Sequence, residues 1–172
     1  MLIFGGVSTQ AAMDMFLKMD DLHGESLDAV HTNEIDVLAW SWGMSNSGTM
    51  HTGGGGGGGK VSVQDLSLTK YVDKSSSVLF NYVCSGKQFA EVKLTIRTGG
   101  GPAPVEFLII TMTDVIVTSL STGGSGGEDR LTENITLNFS AFKVSYQPRK
   151  PDGTPDGGRL ELGWDIAANV KM

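Results

Sequence analysis

The chain has 172 residues, 40% of them hydrophobic, and a formal net charge of −6. This length suffices for one domain with a single core. The 19 acidic and 13 basic side chains include no basic cluster, which argues against nucleic acid as a partner. Since no apolar run reaches about 18 residues, membrane insertion is not expected either.

The segment Met1 to Ala12 lacks the basic residue and the long apolar stretch of a signal peptide. We therefore expect no cleavable signal peptide, so that export would need a dedicated machine. A single cysteine, Cys84, excludes an intramolecular disulfide framework, and three scattered histidines do not form a zinc pattern. We expect no metal and no cofactor, and we place the histidines at the surface or in loops.

Clusters of glycine separate runs of β-type residues, which is typical of a mainly β protein. The sequence predicts about seven strands. These are Met13 to Met19, Glu34 to Ser45, Lys60 to Val72, Glu91 to Arg97, Pro104 to Leu120, Leu131 to Tyr146 and Leu160 to Val170. Helical spacing of apolar residues predicts one helix over Ser75 to Ser85, with Asp73 or Ser75 as its cap and Gly86 at its end.

Strict alternation marks the second predicted strand. One face carries Leu38, Trp40, Trp42 and Met44, and the other carries Ala39, Ser41 and Gly43. The two tryptophans could form a stacking platform for a ligand, but their alternation with aliphatic residues favours core anchors. One face is therefore bulky and the other small.

The run from Pro104 to Leu120 is apolar on both faces, and only one helix is predicted that could cover it. An exposed apolar sheet of this length would aggregate, so burial of its second face in a subunit interface is the better interpretation. Closure of the strands into a barrel would protect the sheet edges. These patterns predict a mainly β, single-domain barrel whose one helix covers an opening or a flank.

Three features could suggest an enzyme. The glycine-rich segment Gly54 to Lys60 nearly matches a phosphate-binding loop, but Val61 stands where a hydroxyl is needed, and Lys60 opens a strand. The segment Thr122 to Arg130 could bind an anion, yet its acidic residues favour a turn between strands. Cys84 lies in the predicted helix with no catalytic signature nearby, so we expect a buried small hydrophobe.

Three long strings resemble the haemolysin-coregulated proteins of bacterial type VI secretion systems. They are EIDVLAWSWGMSNSG (Glu34 to Gly48), KVSVQDLSLTKYVDKSS (Lys60 to Ser76) and STGGSGGEDRLTENITLNF (Ser121 to Phe139), followed by GWDIAANV (Gly163 to Val170). The resemblance spans about Met13 to Val170. It makes residues 13–172 one tube domain and leaves 1–12 as an extension without a counterpart in the family.

The resemblance implies a mainly β barrel of two packed sheets flanked by one helix, which assembles into a hexameric ring. The rings stack into a tube like that of a phage tail. A contractile sheath expels the tube, a spike protein sits at its tip, and small effectors travel in its lumen. It implies a structural role without catalysis, in a protein that is cytoplasmic before firing and secreted afterwards. The alternatives are a monomeric ligand-binding β-barrel and an enzyme that uses Cys84 or the glycine-rich loops.

Candidate contact residues follow from the patterns and the resemblance together. A lumen needs small or polar side chains if cargo is to slide, so we expect Ser41, with Ala39 and Gly43, to face it. The run Gly53 to Gly59, including Gly53, Gly56 and Gly59, either contacts the next ring or is a spacer without contacts. We expect Glu128, Asp129 and Arg130 to make contacts between subunits.

Overall fold

A computed structural model describes residues 12–51, 57–99 and 103–172. Of the predicted extension 1–12, only residue 12 is among the described residues. Gly53 and Gly56 of the glycine run also lie outside them.

The described residues form eleven strands and one helix. In chain order they are β1 (Met13–Met19), β2 (Ile35–Ser41), β3 (Met44–Gly48), β4 (Gly58–Val63), β5 (Leu66–Tyr71), α1 (Ser76–Ser85), β6 (Gln88–Thr98), β7 (Glu106–Gly123), β8 (Thr132–Asn138), β9 (Ala141–Tyr146), β10 (Leu160–Asp165) and β11 (Val170–Lys171). Strand β1 has its predicted bounds. Four of the seven predicted runs each contain two strands, so the predicted number was too low.

The prediction of one strand over Glu34 to Ser45 was wrong because the chain changes sheets near Gly43. Strand β2 pairs with β1 and β5, whereas β3 pairs with β4. At the break, the indole N–H of Trp42 donates to the carbonyl oxygen of Gln64 at 2.9 Å, and the Gln64 amide donates to the carbonyl oxygen of Gly43 at 3.0 Å. In the predicted run Lys60 to Val72, the apolar positions shift from odd (Val61, Val63) to even (Leu66, Leu68), which marks the corresponding break between β4 and β5.

Six strands close into a barrel, in the order β7, β6, β1, β2, β5 and β8, with β8 pairing back onto β7. The predicted fold class, a mainly β barrel of two sheets with one flanking helix, is confirmed. The first sheet has the order β11-β10-β9-β7-β6-β1, and the second sheet has the order β2-β5-β8-β7. Strand β7 belongs to both.

The side chains of β7 that point into the core change from even-numbered to odd-numbered positions at Asp114. Ile110 and Met112 point into the core before this residue, and Val115 and Val117 do so after it. Asp114 has a φ of 50°, in the left-handed region that Asp tolerates better than most residues. The pairing with β9 ends one residue before Asp114, and the pairing with β8 begins two residues after it. The bend therefore transfers the strand from one sheet to the other.

Helix α1 begins one residue after the predicted start and ends at Ser85 as predicted, and of the two predicted caps the side chain of Asp73, not of Ser75, accepts a backbone hydrogen bond. The Oδ1 atom of Asp73 accepts hydrogen bonds from the amide and the hydroxyl of Ser75, and Gly86 ends the helix with a φ of 65°. Leu79 is fully buried against the barrel. Cys84, however, is exposed, so the expectation of a buried small hydrophobe was wrong. It lies on the side of the helix that faces away from the core.

A buried ionic cluster joins the helix to the second sheet. The ammonium group of Lys70 lies 2.5 Å from Glu133 Oε1 and 2.9 Å from Asp73 Oδ1. The hydroxyl of Ser76, in the first turn of α1, donates to the same Glu133 oxygen at 2.7 Å. Lys70 and Glu133 are at most 1% exposed, so neither charge is solvated by water. Each depends on the other for compensation.

We predict that Lys70→Met lowers the free energy of unfolding by about 3–5 kcal/mol, because it leaves the buried Glu133 carboxylate without a cation. Glu133→Gln should cost less, since Lys70 keeps Asp73 at 2.9 Å. The double variant Lys70→Met/Glu133→Leu should lose much less than the sum of two such changes. Urea denaturation measures the difference. The control is Lys143→Met, which removes the cation of the exposed Lys143–Glu161 pair and should lower the free energy of unfolding by less than about 1 kcal/mol. Equal losses from Lys70→Met and Lys143→Met would contradict the prediction.

The loop between β1 and β2, residues 20–34, covers the outer face of the first sheet. His31 stacks on Phe16 with ring centroids 4.2 Å apart, and the Arg97 guanidinium lies 4.9 Å from the centroid of the same Phe16 ring. Arg97 also donates to carboxylate oxygens of Asp28 and Asp14. Arg97 alternates with the buried Ile96 and so lies on the outer face of β6, but this loop leaves it only 9% exposed. His31 lies in a loop as expected, but it is buried.

The hydrogen bonds from Arg97 hold the pKa of Asp28 well below its usual range. A depressed carboxyl pKa stabilises the fold fully above the unfolded-state value of about 4, and this contribution declines below that value until the pH has fallen through the lower pKa of the folded state. We predict that Asp28→Asn lowers the free energy of unfolding by about 1 kcal/mol at pH 7 and by less at pH 3, with a further decline at lower pH.

Chemical denaturation at several pH values tests this prediction, with Glu91→Gln as the control because its nearest cation, Lys93 Nζ, lies 3.9 Å away and both groups are exposed. A loss for Asp28→Asn that stays constant from pH 7 to pH 3 would contradict the prediction.

Candidate functional site

The outer surface of the second sheet is lined by small, uncharged side chains. Cross-strand register aligns them in two rows, in which Ser41 faces Ser67, and Ala39 faces Thr69. The rows continue across β8 and β7, where Thr136 faces Ser119 and Asn134 faces Ser121. We call these eight residues the hydroxyl face: Ala39, Ser41, Ser67, Thr69, Ser119, Ser121, Asn134 and Thr136.

Hydrogen bonds within the hydroxyl face hold its side chains in place. Thr69 Oγ1 donates to Asn134 Oδ1 at 2.7 Å, and the hydroxyls of Ser119 and Thr136 are 2.6 Å apart. Thr118, the extra residue of a β-bulge, donates to Asp65 Oδ2 at 2.6 Å at the end of the face. Four of the seven polar side chains are thus paired within the face, and the eight residues offer neither a charge nor an apolar patch to a passing molecule, since the Asp65 carboxylate lies only at the end of the face.

Two of the three predicted lumen residues lie on this surface. Ser41 and Ala39 are exposed on the outer side of β2. Gly43 lies beyond the end of β2 and is half-buried, where an added Cβ would approach the side-chain oxygen of Gln64 to 3.2 Å. The structure therefore does not place Gly43 with the other two. The sequence analysis missed the serines and threonines of β5, β7 and β8, although Ser67 and Thr69 alternate visibly with buried leucines.

Both tryptophans pack against the core, as predicted. Trp42 contacts Phe142 edge to face, with ring centroids 4.8 Å apart. Leu38 and Met44, which the alternation placed on the same bulky face, are largely exposed. The reason is a bulge after Val37 and the change of sheet at Gly43.

The second sheet ends in two borders. The ladder between β6 and β7 stops at Ile116, so residues 117–123 of β7 pair with β8 and with no other described strand. At the other border, β1 pairs only with Ile35 and Asp36 of β2, and the remainder of β2 pairs with β5 alone among the described strands. The hydroxyl face is therefore a four-stranded surface bounded by two strand edges.

Strands β3 and β4 form an arm that pairs with no other described strand. The side-chain amide of Asn46 donates to the carbonyl oxygen of Gly59 at 2.8 Å. A Cβ at Gly59 would lie 2.2 Å from the Ser47 hydroxyl, so a larger residue here would force the Ser47 side chain into another rotamer. Gly58 and Gly59 were predicted as part of a loop but are strand residues, because the backbone of the glycine run pairs with β3.

Residues 124–131 connect β7 to β8 as the predicted turn. Glu128, Asp129 and Arg130 are all exposed. The Arg130 guanidinium lies 3.8 Å from the ring centroid of Tyr71, at one end of the second sheet. The two carboxylates lie beside it in the chain and face solvent, so they are available for contacts with another chain.

The described residues contain no group of three or more His, Cys, Asp or Glu side chains placed to hold a metal ion. In the same part of the chain, no helix is long and apolar enough to cross a membrane.

Comparison with known proteins agrees with this architecture. Residues 16–146 match the family described as "Type VI secretion system effector, Hcp". The protein hcp1 of Pseudomonas aeruginosa is 62% identical over 160 residues, which cover 93% of this chain and 99% of that protein.

Solved structures show the same fold. A structure of a type six secretion system protein superposes with a TM-score of 0.87 at 34% identity, covering 94% of this chain and all of the other. Hcp1 from Salmonella typhimurium gives a TM-score of 0.77 at 40% identity, with 94% and 99% of the two chains covered. A barrel with one helix and a close match along almost its whole length define a type VI secretion protein. The chain belongs to the Hcp family.

Proposed function

We propose that six copies of this chain form a ring whose channel is lined by the hydroxyl face, and that rings stack into the tube of a type VI secretion system. The observation that carries the proposal is the composition of this face: eight aligned side chains, none charged and none larger than asparagine. Such a surface suits a passage through which protein cargo must move without sticking.

The two borders of the second sheet support a side-by-side arrangement. Strands β2, β5, β8 and β7 are successively antiparallel, so β7 of one copy and β2 of the next would also run antiparallel. A head-to-tail contact of this kind uses two different surfaces and closes into a ring when the rotation fits. The exposed edges would then lie against a neighbour instead of facing solvent.

The arm and the charged turn provide the remaining contacts of the proposed tube. The arm, with Gly59 and the run that contains Gly53 and Gly56, is proposed to contact the adjacent ring. Glu128, Asp129 and Arg130 are proposed to contact the neighbouring subunit, where their exposure leaves them free to pair. A contractile sheath, a tip spike and small effectors are the further partners, and the protein would be cytoplasmic before firing and secreted afterwards.

The proposed role is mechanical and not catalytic. The alternative of a monomeric ligand-binding barrel is disfavoured because the barrel interior is filled by tightly buried side chains. Those with 0% exposure include Leu17, Ile35, Leu66, Leu94, Met112, Ile135 and Leu137. A ligand would have to displace close-packed core atoms.

The native mass tests the ring. We predict a species of six times the 18.2 kDa chain mass by light scattering on a gel-filtration column, with ring-shaped particles in electron micrographs. A stable monomer over micromolar to millimolar concentrations would overturn the proposed assembly.

Ser41 tests the lumen assignment. We predict that Ser41→Glu leaves the ring mass unchanged and lowers recovery of a co-expressed small effector at least about tenfold, because an unpaired charge on the channel wall must be desolvated by the cargo. Ser77→Glu, on the exposed side of α1, is the matched control and should leave recovery unchanged. Unchanged effector recovery with Ser41→Glu would contradict a lumen position.

A further inference from the structure

Strands β9, β10 and β11 extend the first sheet beyond β7, where the second sheet ends; we call them the overhang. The register aligns Leu108 with Tyr146 and Tyr146 with Leu160, so the apolar inner side of β7 continues across the overhang. Tyr146, Leu160 and Leu162 are 42%, 63% and 51% exposed. The core-facing surface of the first sheet thus continues beyond the barrel, where no described residue covers it.

A second apolar surface lies on the loop of residues 20–34, which packs against β1 at the opposite end of the first sheet. Leu27 is 96% exposed and Val30 is 72% exposed. The loop is nevertheless held firmly, because Asp28, which lies between these two side chains in the sequence, binds Arg97, and His31, next to Val30, stacks on Phe16. A fixed backbone presents both apolar side chains to solvent, which lowers the entropy lost when they dock.

The two surfaces have complementary charge. Segment 20–34 contains five acidic residues and no Lys or Arg, namely Asp20, Asp21, Glu25, Asp28 and Glu34. Segment 141–172 contains five basic residues, namely Lys143, Arg149, Lys150, Arg159 and Lys171, and four acidic ones, which gives a net charge of +1. Lys143 and Arg159 lie on the opposite side of the overhang from Leu160 and Leu162, since Lys143 pairs with Glu161 at 2.7 Å and Arg159 donates to Ser145. The basic residues left for a contact are therefore Arg149, Lys150 and Lys171, which would attract the acidic loop, whereas an anionic lipid surface would repel that loop.

We propose that the overhang of one copy covers the 20–34 loop of the next copy, with Leu27 and Val30 packing on Tyr146, Leu160 and Leu162. The inference rests on the proposed ring and identifies the contact that closes it. Overhang and loop lie at opposite ends of one sheet, so each copy offers one surface to each neighbour. The apolar face of β7 is thereby continued into the adjacent subunit.

Disulfide trapping tests this contact. In a Cys84→Ser background, which removes the one native cysteine, Leu27→Cys with Leu160→Cys should give a ladder of covalent multimers up to six subunits on mild oxidation. Each single-cysteine variant and the pair Leu27→Cys with Ser77→Cys are controls that should give no ladder. Light scattering of the same reduced samples reports whether the ring is present.

A second variant does not depend on disulfide geometry. The double variant Leu160→Glu/Leu162→Glu should raise the concentration below which the ring dissociates by at least about tenfold, because the two new carboxylates would be buried against the acidic loop. Phe80→Glu, a comparably exposed apolar residue on α1 that lies in none of the proposed contacts, should not. Melting curves and circular dichroism confirm that each variant folds.

The possible results separate this inference from the proposed function. A ring of normal mass that gives no ladder, and that keeps its stability with both glutamates, would overturn the overhang contact and leave the ring intact. A parent chain that is monomeric would overturn both. We expect a ladder from the Leu27→Cys/Leu160→Cys pair and from none of the controls, and we expect the ring of the double glutamate variant to dissociate.

Discussion

The sharing of strand β7 by two sheets determines how the rest of the chain is arranged. Its first half pairs with β9 and its second half with β8, and Asp114 lies where the partner changes. Because one strand enters both sheets, their inner faces meet at a corner and enclose the core. The same bend leaves the second sheet four strands wide and lets the first sheet continue past it. The hydroxyl face and the overhang both result from this one strand.

Two electrostatic clusters fix the segments that the hydrogen-bond ladders do not hold. Lys70 and Glu133 anchor the start of the helix beneath the second sheet, and the Arg97 cluster holds the 20–34 loop on the first. The first cluster is fully buried and its charges depend on each other, whereas Asp28 and Asp14 in the second keep some contact with water. Together they orient a helix and a loop on opposite sheets while the hydroxyl face remains free of charge.

Local patterns in the sequence were sufficient for the fold class, the helix with its cap, and the strand from Met13 to Met19. They were insufficient where a strand changes sheets, since Trp42 and Gly43 continue the alternation of β2 although the backbone leaves it. Ser41 and Ala39 were placed on a small face from one strand alone. The rest of that face comes from β5, β7 and β8, and only the cross-strand register brings it together. Exposure of Cys84 also depended on tertiary packing that a helical pattern does not specify.

An electron cryomicroscopy map of the assembled protein at side-chain resolution tests the central claim most directly. The claim is that the outer surface of the second sheet is the channel wall. We predict that Ser41, Ser67, Ser119 and Thr136 face the axis of the ring in every copy. A map in which another surface lines the axis, with the hydroxyl face on the outside of the particle or buried between subunits, would contradict it.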